Sequence, residues 1–194
     1  RPSGVTLAQV KERYAIPFDD YGIVIFHPVT SEADTIGAQA QALFARLDAS
    51  GRNFVVIAPN NDPGTEDIFA VLEKLPRERF RQIPSMRFNY FSELMKNASA
   101  MVGNSSAGVR EAPFLGVPSL DVGTRQNRRA SGASITACSA MDSGVIDGFV
   151  QDTWGHRFQN DTTFGAGHAA AAFVDVLNRP DFWLKPLQKA FAGD

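Results

Sequence analysis

Cysteine is nearly absent from this chain: Cys138 is the single one in 194 residues. A lone thiol excludes an internal disulfide. It also has no metal-ligand spacing around it, so a reducing, cytoplasmic setting is expected, with Cys138 read as a small core side chain. Long apolar runs are lacking too. None approaches the about 20 residues of a membrane span, and the opening RPSGVTLAQV has no apolar core of the kind a signal peptide carries. Nor is there an excess of charge of one sign, the net charge being −2. That removes any general attraction to nucleic acid or to an anionic membrane, so an anionic ligand would have to be gripped by a local constellation. Internal repeats and low-complexity tracts are also missing.

What is present is enough apolar material, 44% of residues, to bury a sizeable core. Short β-rich runs occur at 21–26 (YGIVIF), 54–59 (FVVIAP), 80–83 (FRQI), 100–103 (AMVG), 119–122 (SLDV) and 134–138 (SITAC). Amphipathic stretches separate them, and that alternation predicts an α/β fold: a three-layer, doubly wound parallel sheet of Rossmann-like type. Ile36, Ala40, Leu43, Phe44 and Leu47 fall on one helix face, which Thr30 or Ser31 could cap and Gly51 could end. Further helices are predicted near 65–75, 88–98, 106–115, 143–154, 167–178 and 181–191. The opening lacks Met and starts a polar helix almost at once, so it reads as mid-chain sequence. The whole of 1–194 is expected to be one domain, with a terminal helix over 180–194 leaving the sheet.

Ligands of an open α/β sheet bind beyond the carboxyl ends of its strands. Four loops qualify. In HPVT (27–30), His27 could donate to a phosphate or protonate a leaving group, or serve as a structural histidine bonded to a carbonyl. Glu32 and Asp34 behind it read as first-turn charges favourable to the helix dipole. In PNNDPG (59–64), Asn60 could reach a ligand hydroxyl or base, or close the turn on its own backbone. In NSSAG (104–108), Ser105 and Ser106 stand where a strand passes into a helix. Hydroxyls and free N–H groups there suit a diphosphate, with Ala107 and Gly108 keeping the approach open. Glu111, inside the short helix that follows, would repel phosphate and suits a neutral diol such as ribose. The alternative for this block is a plain helix cap beside a solvated carboxylate. Pro113 should break or limit that helix, because it cannot donate back to Val109. In GTRQNRR (123–129), Arg125, Arg128 and Arg129 could fork onto phosphate or simply be solvated. The run FGAGHAA (164–170) fits G-x-G-x-x-A, but no predicted strand precedes it and it lacks the context of a dinucleotide fingerprint.

These segments together resemble a known family. FHPVT (26–30), APNNDPG (58–64), MVGNSSAGVREAPFLGVPSLDVGTRQ (101–126), FGAGHAA and PLQKAF (186–191) match, in order, the hydrolysing UDP-N-acetylglucosamine 2-epimerases of sialic and related nonulosonic acid synthesis. HPVT is similar to the hydrolysing branch; the non-hydrolysing epimerases carry a basic HRREN-like run there. The resemblance implies a GT-B architecture of two Rossmann-like domains, of which this chain would be the C-terminal, UDP-binding one. It implies roles for His27 near the pyrophosphate, Ser105 and Ser106 on phosphate, Glu111 on ribose, Arg125 on UDP, Asn60 on UDP, and the segment from Met86 to Phe91 along the uracil. Phe91 reads equally as core. The chain departs from the family after GTRQ, where Asn127 and Arg128 precede Arg129; no role passes to Arg128 and that of Arg129 stays open.

By the same resemblance the partners are UDP and a UDP-amino sugar, the absent N-terminal domain, and further copies in a homo-oligomer. No cofactor, metal, nucleic acid or membrane is implied. The residues that take the C2 proton would lie in the absent domain. A GT-B glycosyltransferase donor domain, a non-catalytic nucleotide-sugar module, and a 2,4-diacetamido sugar as substrate remain as other readings.

Overall fold

A computed structural model describes residues 4–184. Its main unit, running to Asp161, is a sheet of six parallel strands: β1 (Gly22–Ile25), β2 (Phe54–Ile57), β3 (Phe80–Ile83), β4 (Ala100–Gly103), β5 (Ser119–Val122) and β6 (Ile135–Cys138). They lie in the order β3-β2-β1-β4-β5-β6, with registers such as Gly22 opposite both Phe54 and Ala100. This is the Rossmann-like order. It reverses between β1 and β4, which opens a crevice at their carboxyl ends.

Alternation along the strands sends side chains to two cores. From β1 and the residue after it, Val24 and Phe26 enter one and Ile23 and Ile25 the other. The first core takes Leu43, Phe44 and Leu47 of α2 (Ile36–Ala49), Ile68 and Leu72 of α3 (Thr65–Leu72), and Ile146, Phe149 and Val150 of α7 (Ser143–Asp152). The second takes Val10 of α1 (Leu7–Tyr14), Leu94 and Met95 of α4 (Phe88–Asn97), Ala107 of α5 (Ser106–Val109) and Ala112 of α6 (Glu111–Phe114). Burial on both faces explains why the inner strands β1, β2 and β4 are continuously apolar, whereas β3 at the edge carries Arg81 and Gln82. The three layers agree with the sequence expectation, and so do the six strand positions.

Three local expectations are corrected. Neither Thr30 nor Ser31 caps α2: residues Thr30–Thr35 form a 3₁₀ turn, and α2 starts at Ile36 with no side-chain cap. Glu32 leaves helical geometry there (φ −122°, ψ 15°) because its carboxylate is held elsewhere, as shown below. The helix read over 106–115 is two short helices divided at Arg110, consistent with Pro113 being unable to donate to Val109. Glu111 therefore opens α6 instead of lying within a single helix. Gly51 does end α2, at φ +69°.

A second compact unit begins at Thr162 and holds α8 (Ala169–Leu177) and α9 (Pro180–Trp183), joined by an indole N–H of Trp183 donating to the Leu177 carbonyl at 2.8 Å. No strand lies between α7 and α8, so FGAGHAA has no dinucleotide-fingerprint context. PLQKAF and most of the helix predicted over 180–194 lie outside the described residues. Among the described residues no helix is long and apolar enough to cross a membrane.

Candidate functional site

The candidate loops after β1, β2, β4 and β5 meet at one end of the sheet, and a buried asparagine ties three of them. Asn104, 1% exposed, directly follows β4. Its side-chain carbonyl accepts the His27 backbone N–H at 2.7 Å, and its amide donates to the His27 backbone carbonyl at 2.7 Å. Its own backbone carbonyl accepts from Gln126 Nε2 at 2.9 Å and from Arg125 Nη1 at 3.4 Å. A buried asparagine bonded through its side-chain oxygen, its side-chain nitrogen and its backbone carbonyl in this way fixes the loops after β1, β4 and β5 against one another.

The chain reaches Asn104 through Gly103, whose φ of +128° only glycine adopts readily and where a Cβ would run into the Ile25 carbonyl oxygen. Beyond Asn104, Ser105 caps α5, its hydroxyl accepting the Ala107 N–H at 3.4 Å, and Ser106 is the first residue of the helix. Both serines are half-buried at the helix start. Ala107 and Gly108 prove to serve packing more than access. Both are buried, and a Cβ on Gly108 would lie 2.7 Å from the Ser119 hydroxyl, so Gly108 lets α5 lie close on β5.

His27 is anchored from a fourth loop. The Asn60 backbone N–H donates to its Nδ1 at 3.0 Å. Nδ1 is therefore the acceptor, and in the neutral ring the hydrogen sits on Nε2, free to donate. Burial first, and the nearby Arg125 charge second, lower the His27 pKa to about 4, with Asp62 opposing. At neutral pH it is an uncharged donor. Arg125 is placed near His27 by its bond to the carbonyl of Asn104, whose side chain brackets the His27 backbone.

Asn60 helps to close its own turn. The run around it closes on itself, with Thr65 Oγ1 donating to the carbonyls of Asn60 (2.5 Å) and Asp62 (2.6 Å) and the Asn60 amide donating to the Asp62 carboxylate. Yet Asn60 Oδ1 is buried without a partner among the described residues, as is Glu111 Oε2. Buried acceptors left unmatched are costly unless something else donates to them. Met86 follows β3 at the same end of the sheet, where it packs half-buried on the second core together with Phe91. The next N–H, of Arg87, donates to the Tyr14 hydroxyl at 3.3 Å. Arg128 and Arg129 are exposed, and Arg129 Nη1 donates to Gln126 Oε1 at 3.5 Å.

Sequence reasoning missed three residues of this arrangement. Asn104 and Gln126 are both buried polar side chains; the signal for Asn104 was a polar residue directly behind an apolar strand, whereas Gln126, four residues beyond β5, had no such signal. Glu32, taken for a helix-dipole charge, accepts from Gln39 Nε2 at 3.0 Å and from the Thr124 hydroxyl. These bonds hold its pKa below the ordinary value, Thr124 contributing most.

Comparison with known proteins bears on what this site does. A family model described as UDP-N-acetylglucosamine 2-epimerase matches residues 4–178. The chain is 44% identical over 189 residues to the UDP-N-acetylglucosamine 2-epimerase of Neisseria meningitidis serogroup B, covering 96% of this chain and 50% of that protein. It is 25% identical over 156 residues to a hydrolysing UDP-N,N'-diacetylbacillosamine 2-epimerase of Legionella pneumophila, covering 80% and 41%. Among solved structures, it matches UDP-GlcNAc 2-epimerase from Methanocaldococcus jannaschii in complex with UDP-GlcNAc and UDP, with a TM-score of 0.69 at 16% identity, over 87% of this chain and 48% of that one. The chain thus spans about half the length, or less, of the relatives it matches.

Proposed function

Because the chain belongs to the UDP-N-acetylglucosamine 2-epimerase family, we propose that it is the C-terminal, UDP-binding half of a hydrolysing epimerase that converts UDP-N-acetylglucosamine and water to N-acetylmannosamine and UDP. The observation that carries this reading is the single cluster that Asn104 assembles: a neutral histidine with Nε2–H free, an arginine beside it, two serines at a helix start, and an unmatched glutamate oxygen one short helix further on.

In this reading the diphosphate lies between the Ser105–Ser106 turn and Arg125, the ribose hydroxyls donate to Glu111, and the uracil lies toward Asn60 and Met86. A base from the absent half removes the C2 proton. The C1–O bond then breaks, its electron pair leaves with the β-phosphate oxygen of UDP, and a C1=C2 double bond forms. Water adds across that bond, a proton returning to C2 from the opposite face and hydroxide going to C1. His27 and Arg125 act on the leaving diphosphate, where negative charge grows in the transition state. A protein of this kind works in the cytoplasm as a homo-oligomer, with sugar contacts drawn largely from the other half.

The test uses the full-length protein. It should release free N-acetylmannosamine and UDP, and His27→Ala should lower kcat by roughly 10²-fold or more, since a donor aimed at a leaving group acts mainly in the transition state. The 194-residue chain alone should release no UDP. Transfer of the sugar to an acceptor without free N-acetylmannosamine would replace this reading with a glycosyltransferase. Turnover confined to a 2,4-diacetamido sugar would move it to the activity named for the Legionella relative.

A further inference from the structure

Behind the cluster runs a second connection, which none of the roles above uses. Glu32 sits in the 3₁₀ turn five residues after His27, and its N–H donates to the Val29 carbonyl at 2.8 Å. Its carboxylate is doubly engaged, by Gln39 of α2 and by the hydroxyl of Thr124. Thr124 immediately precedes Arg125. The loop that carries the arginine is therefore pinned on both sides of that residue: at Thr124 by Glu32, and at Gln126 by the Asn104 carbonyl. Asn104 in turn grips the backbone of His27. The bonds close a ring from His27 through Asn104, Gln126, Thr124 and Glu32 back to the loop where it began. Without the Glu32 bond the ring opens, and the segment ahead of Arg125 loses its side-chain anchor while keeping the bond from the Gly123 N–H to the Cys138 carbonyl at 2.8 Å.

We propose that Glu32 is a positioning residue: through the Thr124 hydroxyl it holds Arg125 beside His27, so that both donors converge on one anionic group. The anion's identity as the diphosphate of UDP rests on the function proposed above, whereas the positioning does not. A long, flexible arginine loses side-chain freedom when it binds, and fixing its loop beforehand lowers that cost. Gln39 steers the carboxylate by donating to its other oxygen and so leaves one oxygen for Thr124.

The test is Thr124→Val, which keeps the shape and deletes the donor, with Thr124→Ser as the conservative variant and Glu32→Ala approaching from the other side of the bond. Two readings are taken on the 194-residue chain. One is the NMR titration of the His27 ring without ligand, where burial and Arg125 lower the pKa and Asp62 raises it. The other is UDP affinity by calorimetry. Releasing Arg125 should move the His27 midpoint upward from about 4 toward its ordinary 6.5 and weaken UDP by roughly threefold to tenfold. Thr124→Ser should restore both. A raised His27 midpoint in a chain that binds no UDP would support the positioning while removing the proposed function. An unchanged His27 midpoint with undiminished UDP affinity in both Thr124→Val and Glu32→Ala would overturn the positioning and leave that function standing.

Discussion

His27 illustrates how much a single hydrogen bond decides. The N–H that Asn60 aims at Nδ1 leaves Nε2 as the donor, while burial first and Arg125 second keep the ring neutral down to about pH 4. The sequence placed a histidine after a strand and left open whether it would act as a donor, an acid or a structural ring; the answer came from a residue 33 positions away. Because the folded pKa lies below the ordinary 6.5, the unfolded chain binds more protons here between about pH 6.5 and 4. Stability from this site is therefore complete above 6.5 and is lost as the pH falls through that window. Urea unfolding at pH 7 and pH 5 should show wild type losing more stability on acidification than His27→Gln does. Equal losses would mean that His27 titrates normally.

At the scale of elements, the passage from β4 into α5 is the most constrained piece of backbone in the site. Gly103 turns the chain with a positive φ against the Ile25 carbonyl, and that turn delivers Asn104, Ser105 and Ser106 in sequence. Gly103→Ala should cost more than about 4 kcal/mol or abolish soluble expression, because the turn and the contact would both have to move. A urea-unfolding midpoint near that of wild type would show that the turn can relax.

The strands and most helices were legible because their signals are local. An apolar run such as YGIVIF is a strand buried on two faces, and the spacing of Ile36, Ala40, Leu43 and Leu47 is one face of a helix. Pro113 announced the break that became α5 and α6. Ser105, Ser106, Glu111 and Arg125 were legible as candidates from chemistry and position. The ring that assembles them was not. Asn104 bonds to His27 across 77 positions and Glu32 to Thr124 across 92, and such pairings leave no periodic trace. The start of α2 was misplaced for the same reason: Glu32 is drawn out of helical geometry by a partner on another loop.

At the scale of the molecule, strand order explains why one end of this unit carries the chemistry. With β1 and β4 adjacent at the sheet's centre, the loops bearing His27 and Asn104 are neighbours, and the loops after β2 and β5 flank them. Parallel strands send all these loops to the same edge. The central claim is that a nucleoside diphosphate lies across that edge with its ribose on the unmatched oxygen of Glu111. Calorimetry of the 194-residue chain with UDP and with pyrophosphate tests it most directly. Both ligands should bind, and Glu111→Ala should weaken UDP by roughly tenfold or more while leaving pyrophosphate unchanged, since only UDP brings the diol whose charge-assisted hydrogen bonds are lost. Equal losses for the two ligands, or no binding of UDP by the unaltered chain, would contradict the account.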